Sequence, residues 1–590
     1  MMADTSNESP PSGVFARLPV GRSAAVRTIL IVTSLMTAGC LFWLQQLRVT
    51  GEMHGLSPIF YVLFSFYDYG AAMLALGILL VALFMPRWDK FNRLLRWLGE
   101  HPLYIGSTVA VLLSLGTLFI YRNHPLSMDE YAATFQGRVF AAGHLTGKYP
   151  VDLLNYLIPE SFQNFFLNTS KATGEISSSY WPSFALLLAP FTLIGIPWAC
   201  NPVLSGLTIV VLNRLALRLF GNVEAAGMVT LFTLASPVFF GDGISYYSMT
   251  AHMLSNALFA LLVLSPTPRR LLIAGVVGSI ALTLHNPVPH FLFALPWFVW
   301  LARQERPAVK LAVLAAGYLP LSIVLGIGWF LHSGSLAHSG GAVTDGVGSL
   351  QGVAAAFAWP SATLLYARLV GFAKLMLWAA PCVLVLAFGG AWRTKGDPRF
   401  ATLIASAMLT FVGYLFVWAD QGHGWGFRYF HSAWLVLPLF ATAFMFAPLK
   451  APAPTEVVPR LPLSAAEADL RTYVIACALL SLFAAVGLQA VQIREFIDRN
   501  LEQLPAYAGT EPRVTVIKGF GFYPYDLVQN DPFLREGEVR MVEAGAEATA
   551  AAIQRHFPTY QVVYRDDGSE VWSASTPLQP PPTRKSPVVP

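Results

Sequence analysis

A chain of 590 residues that is 55% hydrophobic and only 12% charged, with a mean hydropathy of +0.54, lies outside the range of soluble globular proteins. The net charge of +5 comes from basic residues that punctuate apolar segments instead of gathering on one face, which argues against a nucleic-acid-binding role. Cys40, Cys200, Cys382 and Cys477 sit in or beside apolar runs with no C-x-x-C spacing, so neither a disulfide frame nor a zinc site is expected, and packing is their role.

Residues 1–25 read as a cytoplasmic tail, Ser/Pro-rich and basic, and the first apolar run, 26–47, is too long for a signal-peptide core and reads as a retained span. Further segments able to cross, or nearly cross, a bilayer follow at 58–85, 102–121, 203–220, 224–241, 250–265, 271–286, 288–302, 311–331, 370–391, 401–418, 432–448 and 473–491. The predicted fold is an α-helical polytopic membrane protein of about thirteen spans over 26–491. Mid-span Asp, Glu and Lys are scarce in this reading.

Orientation follows from the Lys/Arg bias of short loops. Arg17, Arg22 and Arg27 place the N-terminus inside, and Arg87, Lys90, Arg93 and Arg96 place the second connection there too. Alternating spans then keep Arg269 and Arg270, Arg303, Arg306 and Lys310, Arg393, Lys395 and Arg399, and Lys450, Arg460 and Arg471 on the same side. Counting YWPSFALLLAPFTLIGIPW (180–198) as a span would invert all of these loops. It therefore reads as a juxtamembrane or re-entrant helix within one long outer segment, 122–202.

That segment carries Asp129 and Glu130 immediately after Ser127. Ser127 and Glu130 have capping-box spacing, and acids in a first helical turn complement the helix dipole. Glu130 thus has a structural role available, whereas Asp129 is the candidate general base for an acceptor hydroxyl. Met128, Ala132, Phe135, Val139 and Ala142 give the following helix an apolar face, expected to lie on the bundle or the membrane interface. After the spans, residues 492–576 form a small outer α/β domain, with strands RVTVI (513–517), YQVVY and SEVWSA and a helix near 547–557. Residues 577–590 are Pro-rich and expected to be disordered.

Two more outer clusters carry polar chemistry. In WADQGHGWGFRYFHS (418–432), three glycines let backbone approach a ligand, Arg428 offers a planar fork for phosphate, and Trp425 and Tyr429 suit the substrate or an interfacial belt. Asp420, His423 and His431 lack regular ligand spacing, so no metal is predicted. In GDGISYYSMTAHM (241–253), Tyr246, Tyr247 and His252 are candidates to hydrogen-bond a sugar or phosphate. His285, Asn286 and His290 in HNPVPH are expected to satisfy local backbone. Asn168 in NTS is formally a glycosylation acceptor.

The order SMDEYAATFQGRVFAAGHL, YWPSFALLLAPF, GIPWACNPVLSGLTIVVLNRLALRLFG, SPVFFGDGISYYSMTAHM and GWGFRYF resembles the GT-C superfamily of membrane glycosyltransferases, over roughly residues 102–450. The resemblance is to the branch containing protein O-mannosyltransferases and the lipid A aminoarabinose transferase. Two spans precede the family's usual first one, and the segment around His252 departs from the mannosyltransferase motif. The resemblance implies an inverting transfer from a polyprenyl-phosphate sugar to a lipid, glycan or protein acceptor at the outer face. It implies Asp129 as catalytic base, Glu130 as second acid, and Arg428, helped by Arg138, at the lipid phosphate. No cofactor beyond the lipid-linked donor is expected, and the location implied is a bacterial inner or plasma membrane. A transporter or lipid-linked sugar flippase is the alternative, and it calls for acids or broken helices near the midplane. A non-catalytic assembly scaffold is a third reading.

Overall fold

The computed structural model describes residues 22–86, 90–338, 357–446, 464–507, 509–519 and 523–574. Arg17, Arg87, Lys450, Arg460 and the Pro-rich end at 577–590 lie outside the described residues. The chain is an integral membrane protein. Among the described residues, six helices are long and apolar enough to cross a bilayer, or seven if one bent pair counts as a span.

Helix α1 (Ala24–Thr50) starts on an Ser23 cap and stops at Gly51, whose φ of 69° suits the left-handed helix end. Its outward side chains, Ile31, Leu35 and Phe42 among them, are exposed and apolar, as a lipid-facing surface requires. Then come α2 (Pro58–Phe84), the short α3 (Lys90–Glu100) and α4 (Pro102–Phe119). α3 lies in the connection whose basic residues set the predicted orientation, and Arg96 there meets Glu224 at 3.0 Å. α5 (Met128–Ala141) and α6 (Ser183–Leu193) follow in the long segment. Eleven residues of α6 extend about 16 Å, roughly half a bilayer's hydrocarbon core.

α7 (Cys200–Phe220) returns beside α4. At their crossing Gly106 and Gly206 face each other so closely that a Cβ on Gly106 would lie 2.5 Å from the Gly206 carbonyl oxygen. Small residues at a contact let membrane helices approach this closely.

The expected span 224–241 is instead α8 (Val223–Leu234) and α9 (Pro237–Gly243), bent by 65° where Pro237 cannot continue the hydrogen-bond ladder. α10 (Met249–Val263), α11 (Pro268–Leu282), α12 (Val288–Ala302) and α13 (Pro307–Leu336) come next. The expected span 370–391 is likewise broken, into α14 (Ala362–Leu377) and α15 (Val383–Thr394), with Cys382 at φ 75° between them. α16 (Pro398–Tyr414), the single turn α17 (Arg428–His431), α18 (Val436–Met445) and α19 (Ala465–Leu501) complete the helical part. The four cysteines are buried and unpaired.

The scarcity of mid-span charge needs one correction. Asp68 in α2 and Lys374 in α14 form an ion pair at 2.6 Å with side chains 0% and 1% exposed, and Trp378 Nε1 donates to the other Asp68 oxygen at 2.8 Å. Each charge is tolerable in the bundle only because its partner, 306 residues away in sequence, neutralises it.

Two sheets lie outside the bundle. β1 (Gly147–Lys148), β2 (Leu167–Thr169) and β3 (Glu175–Ser178) form an antiparallel sheet in the order β1-β3-β2, which the sequence reading missed. Near the C-terminus, β4 (Arg513–Ile517), β5 (Glu538–Val542), the helix α20 (Ala546–His556), β6 (Gln561–Arg565) and β7 (Ser569–Ser573) build a sheet ordered β5-β4-β7-β6. β4 and β5 pair in parallel, and the other pairs are antiparallel.

The apolar face of α5 does not lie on lipid or the main bundle core. Met128, Ala132, Phe135 and Val139 are buried with Tyr149, Leu153, Val514, Val516, Met541 and Trp572 in a second core. The long segment and the C-terminal sheet therefore share one interior.

Candidate active site

α5 begins at Ser127, and its first turn sends two adjacent acids to different places. Glu130 is fully buried, and its oxygens accept from the backbone N–H groups of Leu126 at 2.7 Å, Ser127 at 3.3 Å and Tyr246 at 2.7 Å, and from Tyr121 Oη at 2.9 Å. Burial pushes its carboxyl up to about 7 despite those donors. Glu130 thus splices the start of α5 to the segment after α9 and does not face the pocket.

Asp129 keeps 21% of its side chain exposed, and its oxygens meet neither the helix's own N–H groups nor its dipole alone. Tyr180 Oη donates to Oδ1, while Nη1 and Nη2 of Arg428 both donate to Oδ2 at 3.0 Å. Burial pushes the Asp129 carboxyl up, but the Arg428 guanidinium, His285 and the Tyr180 hydroxyl outweigh it and hold Asp129 below its ordinary value.

Arg428 is held by the loop that carries it. Its Nη1 also donates to the carbonyls of Gln421 at 3.2 Å and His423 at 2.7 Å, and its backbone N–H donates to Gln421 Oε1 at 3.0 Å. The guanidinium lies 4.3 Å above the Tyr247 ring. Gly424 has φ 117°, and a Cβ there would sit 2.1 Å from Arg428 Cδ. The loop's glycines were expected to admit a ligand, but at Gly424 the backbone instead folds around the Arg428 side chain. Arg428 Nε is buried and has no acceptor among the described residues.

These groups open on one pocket, lined by Asp129, Tyr180, Trp181, Tyr247, His285 and Arg428 among others. His285 stacks on Tyr180 with ring centroids 4.0 Å apart, and Trp181 N–H donates to the His285 carbonyl at 3.1 Å.

No family model matches the chain, and neither does any curated sequence. Among solved structures, the crystal structure of ArnT from Cupriavidus metallidurans bound to undecaprenyl phosphate superposes with a TM-score of 0.50 at 12% identity, covering 80% of this chain and 98% of that one. The apo structure of the same protein gives a TM-score of 0.49 at 13% identity, over 80% and 97%. The fold is GT-C-like.

Within this GT-C-like fold, three of the predicted site residues, Asp129, Arg428 and Tyr247, reach the pocket. The others do not line it. Arg138 pairs with Glu536 at 2.8 Å, on the part of α5 that faces the C-terminal region, because it stands more than two turns beyond Asp129. Tyr246 serves Glu130 through its N–H and Asn123 through its hydroxyl. Trp425 Nε1 donates to Tyr121 Oη at 3.3 Å, and Tyr429 Oη donates to the Asp420 carbonyl at 2.7 Å. His252 is buried in α10, one turn past the pocket-lining Ser248 and Met249.

Asp420, His423 and His431 point to separate partners. Asp420 accepts from the N–H and hydroxyl of Ser57 at 2.6 and 2.8 Å, His423 lies 3.3 Å from Asp526, and His431 lies 2.8 Å from Asp242. Among the described residues no group of three metal-ligating side chains converges. Asn168 is buried in β2, so the folded chain does not present it for glycosylation. Asn286 caps local backbone by accepting from Val288 N–H at 3.1 Å, as expected, while His290 bonds Asn256 and Tyr318 side chains and His285 faces the pocket.

Tyr180 and Gln421 escaped the sequence reading, and His285, expected to satisfy local backbone, lines the pocket instead. Tyr180 had one signal, a polar-tipped aromatic at the head of an apolar run too short to span.

Proposed function

We propose that this chain is a membrane glycosyltransferase that moves a sugar from a polyprenyl-phosphate donor to a lipid, glycan or protein acceptor at the outer face of the membrane. The observation that carries this reading is the pocket where Asp129 and Arg428 sit 3.0 Å apart, with Arg428 carrying a buried Nε–H that lacks an acceptor among the described residues. A base beside an anion-binding fork is what transfer of a phosphate-linked sugar requires. The GT-C-like fold, shared with a protein crystallised with undecaprenyl phosphate, supports the same donor class.

In this mechanism the acceptor hydroxyl oxygen attacks the anomeric carbon, forming a new C–O bond as the bond to the phosphate oxygen breaks. Polyprenyl phosphate leaves with the electron pair, the configuration inverts, and the hydroxyl proton passes to the Asp129 carboxylate. Arg428 stabilises the charge that develops on the phosphate.

The ion pair makes the order of events matter. While Arg428 and Tyr180 occupy both Asp129 oxygens, the carboxylate is a weak base. A donor phosphate that engages Arg428 competes with Asp129 for the same N–H groups and raises the basicity of the carboxylate when the acceptor needs it.

The test is transfer of radiolabel from polyprenyl-phosphate sugars to membrane acceptors, with purified wild type beside Asp129→Asn. Loss of a general base lowers turnover by about 10² to 10⁴-fold. Transfer unaffected by Asp129→Asn would remove Asp129 from the mechanism, and lipid translocation without transfer would make the protein a flippase.

A further inference from the structure

Asp129 and Arg428 are 299 residues apart, and each sits on a short element whose own chain does not fix its distance to the other. We infer that the segment 523–532, between β4 and β5, is a positioning strap that grips both elements and sets the spacing of the pair. This rests on the proposed roles of Asp129 and Arg428, and it assigns the C-terminal region a place in the site.

On one side the strap holds the start of α5. Gln529 Nε2 donates to the Pro125 carbonyl at 2.7 Å, two residues before the Ser127 cap. The Asn530 N–H donates to Tyr131 Oη at 2.8 Å, and Tyr131 Oη donates to the Asn530 carbonyl at 2.7 Å. Pro125 and Tyr131 bracket Asp129 along the chain. The Pro532 carbonyl accepts from Lys148 N–H at 2.9 Å, tying the strap to β1 as well.

On the other side the strap meets the arginine loop. Asp526, 6% exposed, has its carboxylate 3.3 Å from His423 Nε2, and the Tyr523 ring lies 4.9 Å from the His423 ring. The carbonyl of that same His423 is the closest backbone acceptor of Arg428. The strap is itself pinned to β5, where the Asn530 side chain exchanges two hydrogen bonds with the Arg540 backbone at 2.7 and 2.8 Å. Displacing one side of the strap therefore reaches the other through about ten residues of anchored chain. Misplacement of about 1 Å costs on the order of a hundredfold in rate.

A cap that only shields the pocket would give a different result from a strap. Tyr131→Phe removes both bonds to the Asn530 backbone and keeps the ring in the core, and Asp526→Asn removes the charge facing His423. Hydrogen exchange followed by mass spectrometry on the full-length protein in detergent reads residues 126–131 and 421–428 in each variant. Val563→Ala in β6 is the control for general loosening of the sheet.

Each strap variant raises exchange in both segments, including the one it does not touch, and lowers kcat about tenfold with KM for the donor within twofold. The double variant loses less than the product of the two, as residues acting through one element do. Exchange that rises only in the segment next to the substitution, or kcat equal to wild type, would overturn the strap. A wild type that transfers no sugar overturns the proposed function instead, and the exchange pattern then decides the strap on its own.

Discussion

Replacing Tyr180 with Phe removes one hydroxyl and nothing else from the pocket, because the ring keeps its stack on His285. The hydroxyl donates to Oδ1 of Asp129, the oxygen that Arg428 does not hold. A hydrogen bond to a charged acceptor is worth about 1.5–3 kcal/mol. At about 1.4 kcal/mol per pKa unit, its loss raises the Asp129 pKa by about one to two units. The sign is fixed by the wild type, where the carboxylate lies below its ordinary value and is ionised across the neutral range. The acidic limb of kcat/KM reports the free enzyme's base, so in Tyr180→Phe that limb moves to higher pH by the same one to two units. The assay is the transfer rate at limiting donor between about pH 3.5 and 8, with the thermal midpoint measured at each pH to exclude unfolding. An active variant whose limb coincides with wild type would refute the assignment of Asp129 as base.

Arg428→Lys keeps the charge and loses the fork, so affinity for undecaprenyl phosphate, measured by scintillation binding, falls about tenfold or more, whereas unchanged affinity would place the phosphate elsewhere. Lys374→Met strands the buried Asp68 carboxylate and costs about 3–5 kcal/mol, seen as a lower thermal midpoint in detergent. The double variant Asp68→Asn/Lys374→Met recovers most of that loss, and no recovery would argue against the pairing. Glu130 has a folded-state pKa near 7, above its ordinary 4.5, so its contribution to stability is full below about pH 4.5 and fades as pH rises through about 7. Glu130→Gln flattens that slope, and an unchanged midpoint-versus-pH curve would contradict it.

The sequence made Asp129 and Arg428 legible for different reasons. Asp129 stood out because Glu130 had a local structural role, and the fold gives Glu130 four donors around its carboxylate. Arg428 stood out by residue type in a Gly-rich loop. Tyr246, Trp425 and Tyr429 looked equally apt, since an aromatic serving a buried backbone and one serving a ligand have the same composition. Arg138 illustrates the limit of linear distance: it shares a helix with Asp129, yet it bonds Glu536.

By itself the sequence determined the membrane class and strands such as RVTVI, because each rests on local composition or short-range periodicity. Only the tertiary structure decided the breaks at Pro237 and Cys382, the parallel β5, the Asp68–Lys374 pair, and which of many polar side chains share a pocket. Those outcomes depend on partners hundreds of residues away, and a charge or a hydrogen-bond donor carries no mark of its partner until folding removes water from both.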